Sequence, residues 1–440
     1  MKIYKAHILF TKEKDRFEVY ENGYVAVDDD GCVVGVASNL EDLKSQISKL
    51  KPQISTAEIV DFGDKLLIPA MNDMHVHAPQ VHNQGVAMDL ELLPWLENYT
   101  FPEESKYADV EYAERMYRRF MHTQWLFGTM RSVVFATVHT ESTRRLMQLY
   151  QEAGMGALVG KVAMNRHCPE ALCEDVEAAV EGIERLIAEF SHLSPLTSHL
   201  SPLVRPIITP RFVPSCTPEL LKACGELANK YRLPVQSHLS ENLSEIAWVA
   251  ELEPESKSYG DAYNRYGLFG QTPTIMAHCV WTEGEELELM KRNGVMVAHC
   301  PTSNFNLSSG MAPIRSLLDE GVRIGLGSDI SGGHDLNMFR MLVYAIQVSK
   351  MHYQLNHDKA FLNLSEIFWI ATKSAGSFFG RVGSFEPGYE FDALVIDDSV
   401  LYPSEYSLLH RLERFIYVGD DRQIVHRFCR GREVPEPNVV

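Results

Sequence analysis

The stretch "MNDMHVHAPQ", Met71 to Gln80, sets His75 and His77 two residues apart, with Asp73 before them and Gln80 after. In a strand, residues i and i+2 project from one face, so the two imidazoles can reach a single ion together. The same spacing also occurs on exposed strands and loops, and the pair alone leaves both readings open. Four more stretches carry reactive or charged groups. "LPVQSHLS" is followed by Glu241 and contains His238, "TIMAHCV" contains His278, "RIGLGSDI" contains Asp329, and "VRPIITPRF" ends in Arg211 and Phe212. Singly, each has a dull explanation: a buried histidine is more often a satisfied core residue than a ligand, and Asp329 could cap a helix.

Their positions in the chain carry the argument further. The middle of the sequence alternates short β-rich runs with helical stretches, which implies parallel strands joined by crossover helices. Eight strand ends can be read: "LLIPAMNDMHVH", "SVVFAT", "ALVGKVAM", "VRPIITPRF", "LPVQSHLS", "TIMAHCV", "VMVAHCP" and "RIGLGSDI". Eightfold alternation is the pattern of a (β/α)8 TIM-type barrel, whose chemistry sits where strands end. His75 and His77 end the first strand, Arg211 follows the fourth, His238 and Glu241 the fifth, His278 the sixth and Asp329 the eighth. Packing alone does not place three histidines and a carboxylate in that way, so a metal site is expected.

The connecting elements fit this scheme. In "PEALCEDVEAAVEGIERLIAEF" the apolar residues recur at steps of three and four, which predicts an amphipathic helix with Pro169 in its first turn. In "TPELLKACGELANKY", Thr217 is the expected N-cap and Pro218 the first helical residue. The tandem repeat between residues 191 and 203 reads as a surface loop, with His192 and His199 solvated. The ends of the chain differ from the middle: Val-rich runs flank the turn at Asp30-Gly31, and "FDALVIDD" and "RFIYVGDD" repeat the texture near the C-terminus. The expected division is a small β-sandwich from residues 1–66 and 385–440 around a barrel of residues 67–384.

Composition excludes several classes of function. The 440 residues are 45% hydrophobic, enough for a large core, and the net charge of −18 comes with no basic run to follow a phosphate backbone. Nucleic acid is not an expected partner. The eight cysteines include no C-x-x-C pair, which suits a reducing cytoplasm. The N-terminal stretch "MKIYKAHILFTKEKDRF" lacks the apolar core of a signal peptide and no apolar run is long enough to span a bilayer, so neither export by that route nor membrane insertion is expected. A small molecule is the expected ligand and a homodimer the expected assembly. H-E-x-x-H, G-x-S-x-G and P-C-x-x-C are all absent.

"HVH" after strand one, a histidine after strands five and six, and "GSD" after strand eight resemble the amidohydrolase superfamily along nearly the whole chain. Within it, "MDLELLPWLENYTFPEE", "PIITPRFVPSC", "QSHLSEN", "AHCPTSNFNLSSG" and "GLGSDISGG" resemble the guanine deaminase family. Departures are Ala70 in place of a glycine before strand one, and "MNRHCP" after strand three. The donors His75, His77, His238 and Asp329 suit one zinc ion per chain, with iron the alternative. Such an ion lowers the pKa of water to about 7 and makes a hydroxide available to attack C2 of guanine.

The resemblance further implies that Asp329 takes the water's proton, His278 orients the nucleophile, and Glu241 passes a proton to the ring and the leaving amine. It implies that Gln80, Arg211 and Phe212 hold the base, and Trp95, Tyr99 and Phe101 are candidates to close over it. Binuclear relatives carry a carboxylated lysine after strand four, where this chain has none, and Lys161 on strand three reads as structural. Three alternatives stay open: a deaminase of a related heterocycle such as 8-oxoguanine or a pterin, a binuclear cyclic amidohydrolase, and a metal-free binding protein on the same fold.

Overall fold

The computed structural model describes residues 1–48, 57–191, 200–401 and 405–439. The expectation for His192 and His199 lies outside the described residues. The N-terminal segment supplies β1 (Lys2–Glu13), β2 (Arg16–Val27), β3 (Val33–Ala37) and β4 (Glu58–Pro69). The middle supplies β5 (Met71–His77), β6 (Thr129–Phe135), β7 (Gly156–Gly160), β8 (Val162–Ala163), β9 (Val204–Pro206) and β10 (Thr209–Pro210). It continues with β11 (Val235–Leu239), β12 (Thr274–His278), β13 (Met296–His299) and β14 (Ile324–Leu326). The C-terminal segment adds β15 (Ala393–Ile396), β16 (Ile424–Cys429) and β17 (Arg432–Glu433).

Both ends of the chain share one seven-stranded sheet, in the order β17-β16-β15-β4-β1-β2-β3. Its seam is the antiparallel pairing of β4 with β15, from Ala393 opposite Pro69 to Ile396 opposite Leu66. The sheet therefore takes β4 as far as Pro69, past the residue 66 that the sequence suggests. The turn at Gly31 has φ +82° and lies against Arg430, whose carbonyl a Cβ at Gly31 would strike. Glycine is required there by both conformation and space.

The middle of the chain is mixed α/β with parallel sheets. One sheet runs β5-β6-β7-β9 and another β11-β12-β13-β14, while β8 and β10 form a short parallel pair. An isolated parallel bridge joins Ile208 to Val235 at one seam. At the other, the Asp329 amide donates to the His75 carbonyl at 2.9 Å, linking the segment after β14 to β5. Every residue of β5, β6, β7, β12, β13 and β14 is buried, as parallel strands covered on both faces require.

The helices mostly follow their caps. Thr217 accepts from the Leu220 amide at the start of Pro218–Tyr231, as the sequence indicates. The helix anticipated from Pro169 instead begins at Val176, where Asp175 accepts from the Ala178 amide. Its core side is Ala179, Ile183, Leu186, Ile187 and Phe190, whereas Leu172 packs in a separate cluster with Trp95, Leu96 and Phe101. A short side-chain cap outcompetes the proline for the first turn because it satisfies an otherwise free amide. Among the described residues no helix is long and apolar enough to cross a membrane.

Candidate active site

His75 and His77 reach the site from the end of β5, His238 from β11, and Asp329 from the loop after β14. His75 Nε2 lies 3.1 Å and His77 Nε2 3.5 Å from Asp329 Oδ1, and the His77 and His238 Nε2 atoms are 3.2 Å apart. Ligands held at 2.0–2.1 Å on a tetrahedral ion are separated by about 3.3 Å, so these spacings are those of a zinc-type donor set. His238 Nδ1 donates to the Arg211 carbonyl at 2.6 Å, which leaves the Nε2 lone pair for an ion. His75 Nε2 is buried without an aligned hydrogen bond. The residues fit a divalent cation.

The electrostatics agree with that fit. Burial holds His75, His77 and His238 below the ordinary imidazole pKa, so they are neutral donors. Burial pushes the Asp329 carboxyl upward, but the flanking His75, His278 and His77 outweigh it and keep the group ionised. At the strand ends, Ser240, His278, Cys279 and Asp329 all have φ between 46° and 71°. Left-handed backbone at four non-glycine residues costs about 1 kcal/mol or more at each, and such strain gathers where side chains must be aimed.

Glu241 lies beside the cluster and is 2% exposed. It precedes the Asn242 cap of the helix Leu243–Leu252, so it is not a solvated first-turn residue. Its Oε1 accepts from Ser309 Oγ at 3.0 Å, and Oε2 faces His278 Nε2 at 3.4 Å. Asn304 Oδ1 lies 2.9 Å from His278 Nδ1 and can only accept, so that nitrogen carries the proton. His278 Nε2 is thereby turned towards Glu241 and, at 3.8 Å, Asp329 Oδ2. Burial raises the Glu241 pKa; for His278 burial acts downward, but Glu241 and Asp329 prevail and raise it.

His77, His238, Glu241, His278 and Asp329 open on a cavity that is also lined by Gln80, Leu92, Trp95, Leu96, Arg211, Phe212, Glu245 and Leu307. Gln80 Oε1 accepts from the Ser331 amide at 2.9 Å. The Phe212 ring lies 6.5 Å from that of His238. Trp95 lines the cavity, and Phe101 packs 5.1 Å from the Arg211 guanidinium. Tyr99 does not join them. It is 39% exposed, in the π-helical turn Leu96–Thr100, where Leu96 and Thr100 face inward and residues 97–99 face outward.

Comparison with known proteins agrees with this geometry. Residues 66–434 match the model of the amidohydrolase family. The guanine deaminase of Dictyostelium discoideum is 37% identical over 99% of this chain and 98% of its own. That of Escherichia coli strain K12 is 33% identical over 87% and 86%. A crystal structure of guanine deaminase from C. acetobutylicum with guanine bound in the active site superposes with a TM-score of 0.93, at 49% identity over 99% of this chain and all of that one. The chain belongs to the amidohydrolase family.

In this amidohydrolase the candidate residues His75, His77, Gln80, Arg211, Phe212, His238, Glu241, His278 and Asp329 gather at one place. Lys161 is apart from them, buried in an ion pair with Glu174. Four residues escaped the sequence reading: Glu104, Glu245, Asn304 and Ser309. Asn304 and Ser309 stand inside the quoted "PTSNFNLSSG", and Glu104 inside "FPEE", so the signal lay in the motifs but not at separate positions.

Proposed function

We propose that this amidohydrolase converts guanine and water to xanthine and ammonia, with one zinc ion per chain held by His75, His77, His238 and Asp329. The observation that carries this is one cavity bordered both by His77, His238 and Asp329 of that donor set, with His75 clustered behind them, and Glu241, and by Arg211 and Gln80. Guanine has a carbonyl at C6 for those donors and its amine at C2. The solved relative with bound guanine and the guanine deaminases of comparable length support the same substrate.

When bound, the ion supplies water acidified to a pKa near 7. The chain's own groups do the rest. Arg211 and Gln80 hold the carbonyl, and Phe212 packs against the ring. Asp329 receives a proton from the attacking water, and His278, fixed by Asn304, directs that water. Glu241 delivers a proton to the ring nitrogen next to C2, takes up the proton of the newly added hydroxyl and passes it to the amine; the C–N bond breaks as ammonia leaves, the C–O bond becomes the xanthine carbonyl, and the proton held by Asp329 returns to Glu241. Leu92, Trp95 and Leu96 exclude solvent.

The two parallel sheets are inferred to close as a (β/α)8 barrel, supported by the Ile208–Val235 bridge and the Asp329–His75 hydrogen bond at its two seams. The seven-stranded sheet is inferred to fold as a β-sandwich, supported by the aromatic core of Tyr4, Phe10, Phe62, Phe385, Phe391 and Phe428 that strands from both chain ends enclose. A homodimer remains the proposed assembly, and the eight free cysteines support a reducing compartment.

The test is ammonia release from a panel of purines, pterins and pyrimidines, with elemental analysis of the purified protein. Guanine should be the preferred substrate at about one metal per chain. Preference for a pterin or 8-oxoguanine would reassign the substrate, and two tightly held ions would sink the mononuclear mechanism.

A further inference from the structure

Glu104 is a carboxylate that the proposed chemistry does not use, yet it is 2% exposed. It sits in the short helix Phe101–Ser105, far in sequence from the residues it contacts. Its Oε2 accepts from Arg211 Nη1 at 2.5 Å, and its Oε1 accepts from Gln80 Nε2 at 2.8 Å. An ionised carboxylate has only acceptors, so the Gln80 amide must turn its nitrogen to Glu104. The Ser331 amide, which has only a donor, demands the Gln80 oxygen at the other end. The side chain therefore has one orientation. Its nitrogen keeps a second N–H, while its oxygen is engaged by the Ser331 amide.

Arg211 is held in the same way. Glu104 takes one corner of the guanidinium, and the Phe101 ring lies 5.1 Å from its centre. Glu104 also balances the Arg211 charge, which suits a neutral ligand better than an anion. We infer that Glu104 is a positioning residue for substrate selection: it orients Gln80 and Arg211 so that this wall of the cavity presents their N–H donors, and thereby selects bases with an oxygen at C6. This rests on the guanine reading above.

A glutamine at position 104 has one acceptor and one donor. Whichever way it turns, either Arg211 or Gln80 then faces a donor, and the Gln80 amide cannot flip without opposing the Ser331 amide. The experiment compares guanine with 2-aminopurine, which keeps the reacting C2 amine and lacks the C6 oxygen. In the metal-loaded wild type, kcat/KM for guanine should exceed that for 2-aminopurine. Glu104→Gln should lower guanine kcat/KM roughly 30-fold, mostly through KM, with 2-aminopurine changed less than about threefold and metal content unchanged. Glu104→Asp keeps the charge but is too short to span both partners, and should shrink the ratio by an intermediate factor; it carries the test if the glutamine variant fails to fold.

Equal losses on both bases would make Glu104 merely structural. An unchanged ratio in a folded variant would overturn its role in selection. A wild type inactive on guanine would instead remove the reading of function on which the inference rests, and the inference with it. Wild-type activity on guanine with no preference over 2-aminopurine would overturn only the inference.

Discussion

Replacing Glu241 with glutamine separates proton transfer from everything else the site does. The amide oxygen can still accept from Ser309 Oγ, now 3.0 Å from the carboxylate, so the side chain should stay in place. The metal donors are His75, His77, His238 and Asp329, so the ion should stay as well. What disappears is a titratable group and its charge. At the 3.4 Å that separates Glu241 from His278, two unit charges interact by about 5 kcal/mol at an effective dielectric constant of 20. His278 should therefore become harder to protonate. Loss of general acid-base catalysis typically costs 10²- to 10⁴-fold, or about 2.7–5.5 kcal/mol of barrier. Glu241→Gln should lower kcat on guanine within that range, with KM changed only a few-fold. The assay is steady-state xanthine formation alongside metal analysis of the same preparation. A variant with full metal and near-wild-type kcat would refute the reasoning, and loss of metal would show that Glu241 helps to hold the ion.

Two further substitutions probe other parts of the cavity. Arg211→Met removes the guanidinium that faces the base and strands Glu104, so guanine kcat/KM should fall by about 10² or more while metal content holds; a fully active variant would break the pocket assignment. Glu245 has its pKa pushed up to about 7 by burial and by neighbouring Glu241. Its folded pKa exceeds the unfolded value near 4.5, so its contribution is fully present below about pH 4.5 and is lost as pH rises through 7. Glu245→Gln keeps an oxygen for the Asn242 amide, the Tyr259 hydroxyl turning to accept from the new NH2, and should raise Tm by a few degrees at pH 8 with little change at pH 5. Equal shifts at the two pH values would contradict that sign.

Much of the site was legible because histidines at strand ends are conspicuous. A strand end fixes both the location and the facing of a side chain, so "HVH", "QSHLS" and "GSD" announced donors that the fold then gathers. Supporting residues lacked such a marker. Glu104 meets Arg211 across 107 positions, and Ser309 meets Glu241 across 68, distances over which local pattern carries no information. Trp95, Tyr99 and Phe101 could not be told apart for a different reason: aromatic content marks all three as candidates, but only the local turn decides that Trp95 and Phe101 are buried and Tyr99 exposed. The start of the helix at Val176 was obscured by Pro169, a plausible first-turn residue that lies in a separate segment.

The central claim is that the donor set, Glu241 and the Arg211–Gln80 wall act together on one base. It is tested most directly by incubating the metal-loaded protein with guanine and, separately, adenine, and measuring ammonia and purine product. The account predicts xanthine and ammonia in equal amounts from guanine, and a kcat/KM for adenine lower by at least about 10², because an amine at C6 leaves the buried guanidinium without an acceptor. Equal rates on the two bases, or no xanthine from guanine, would contradict it.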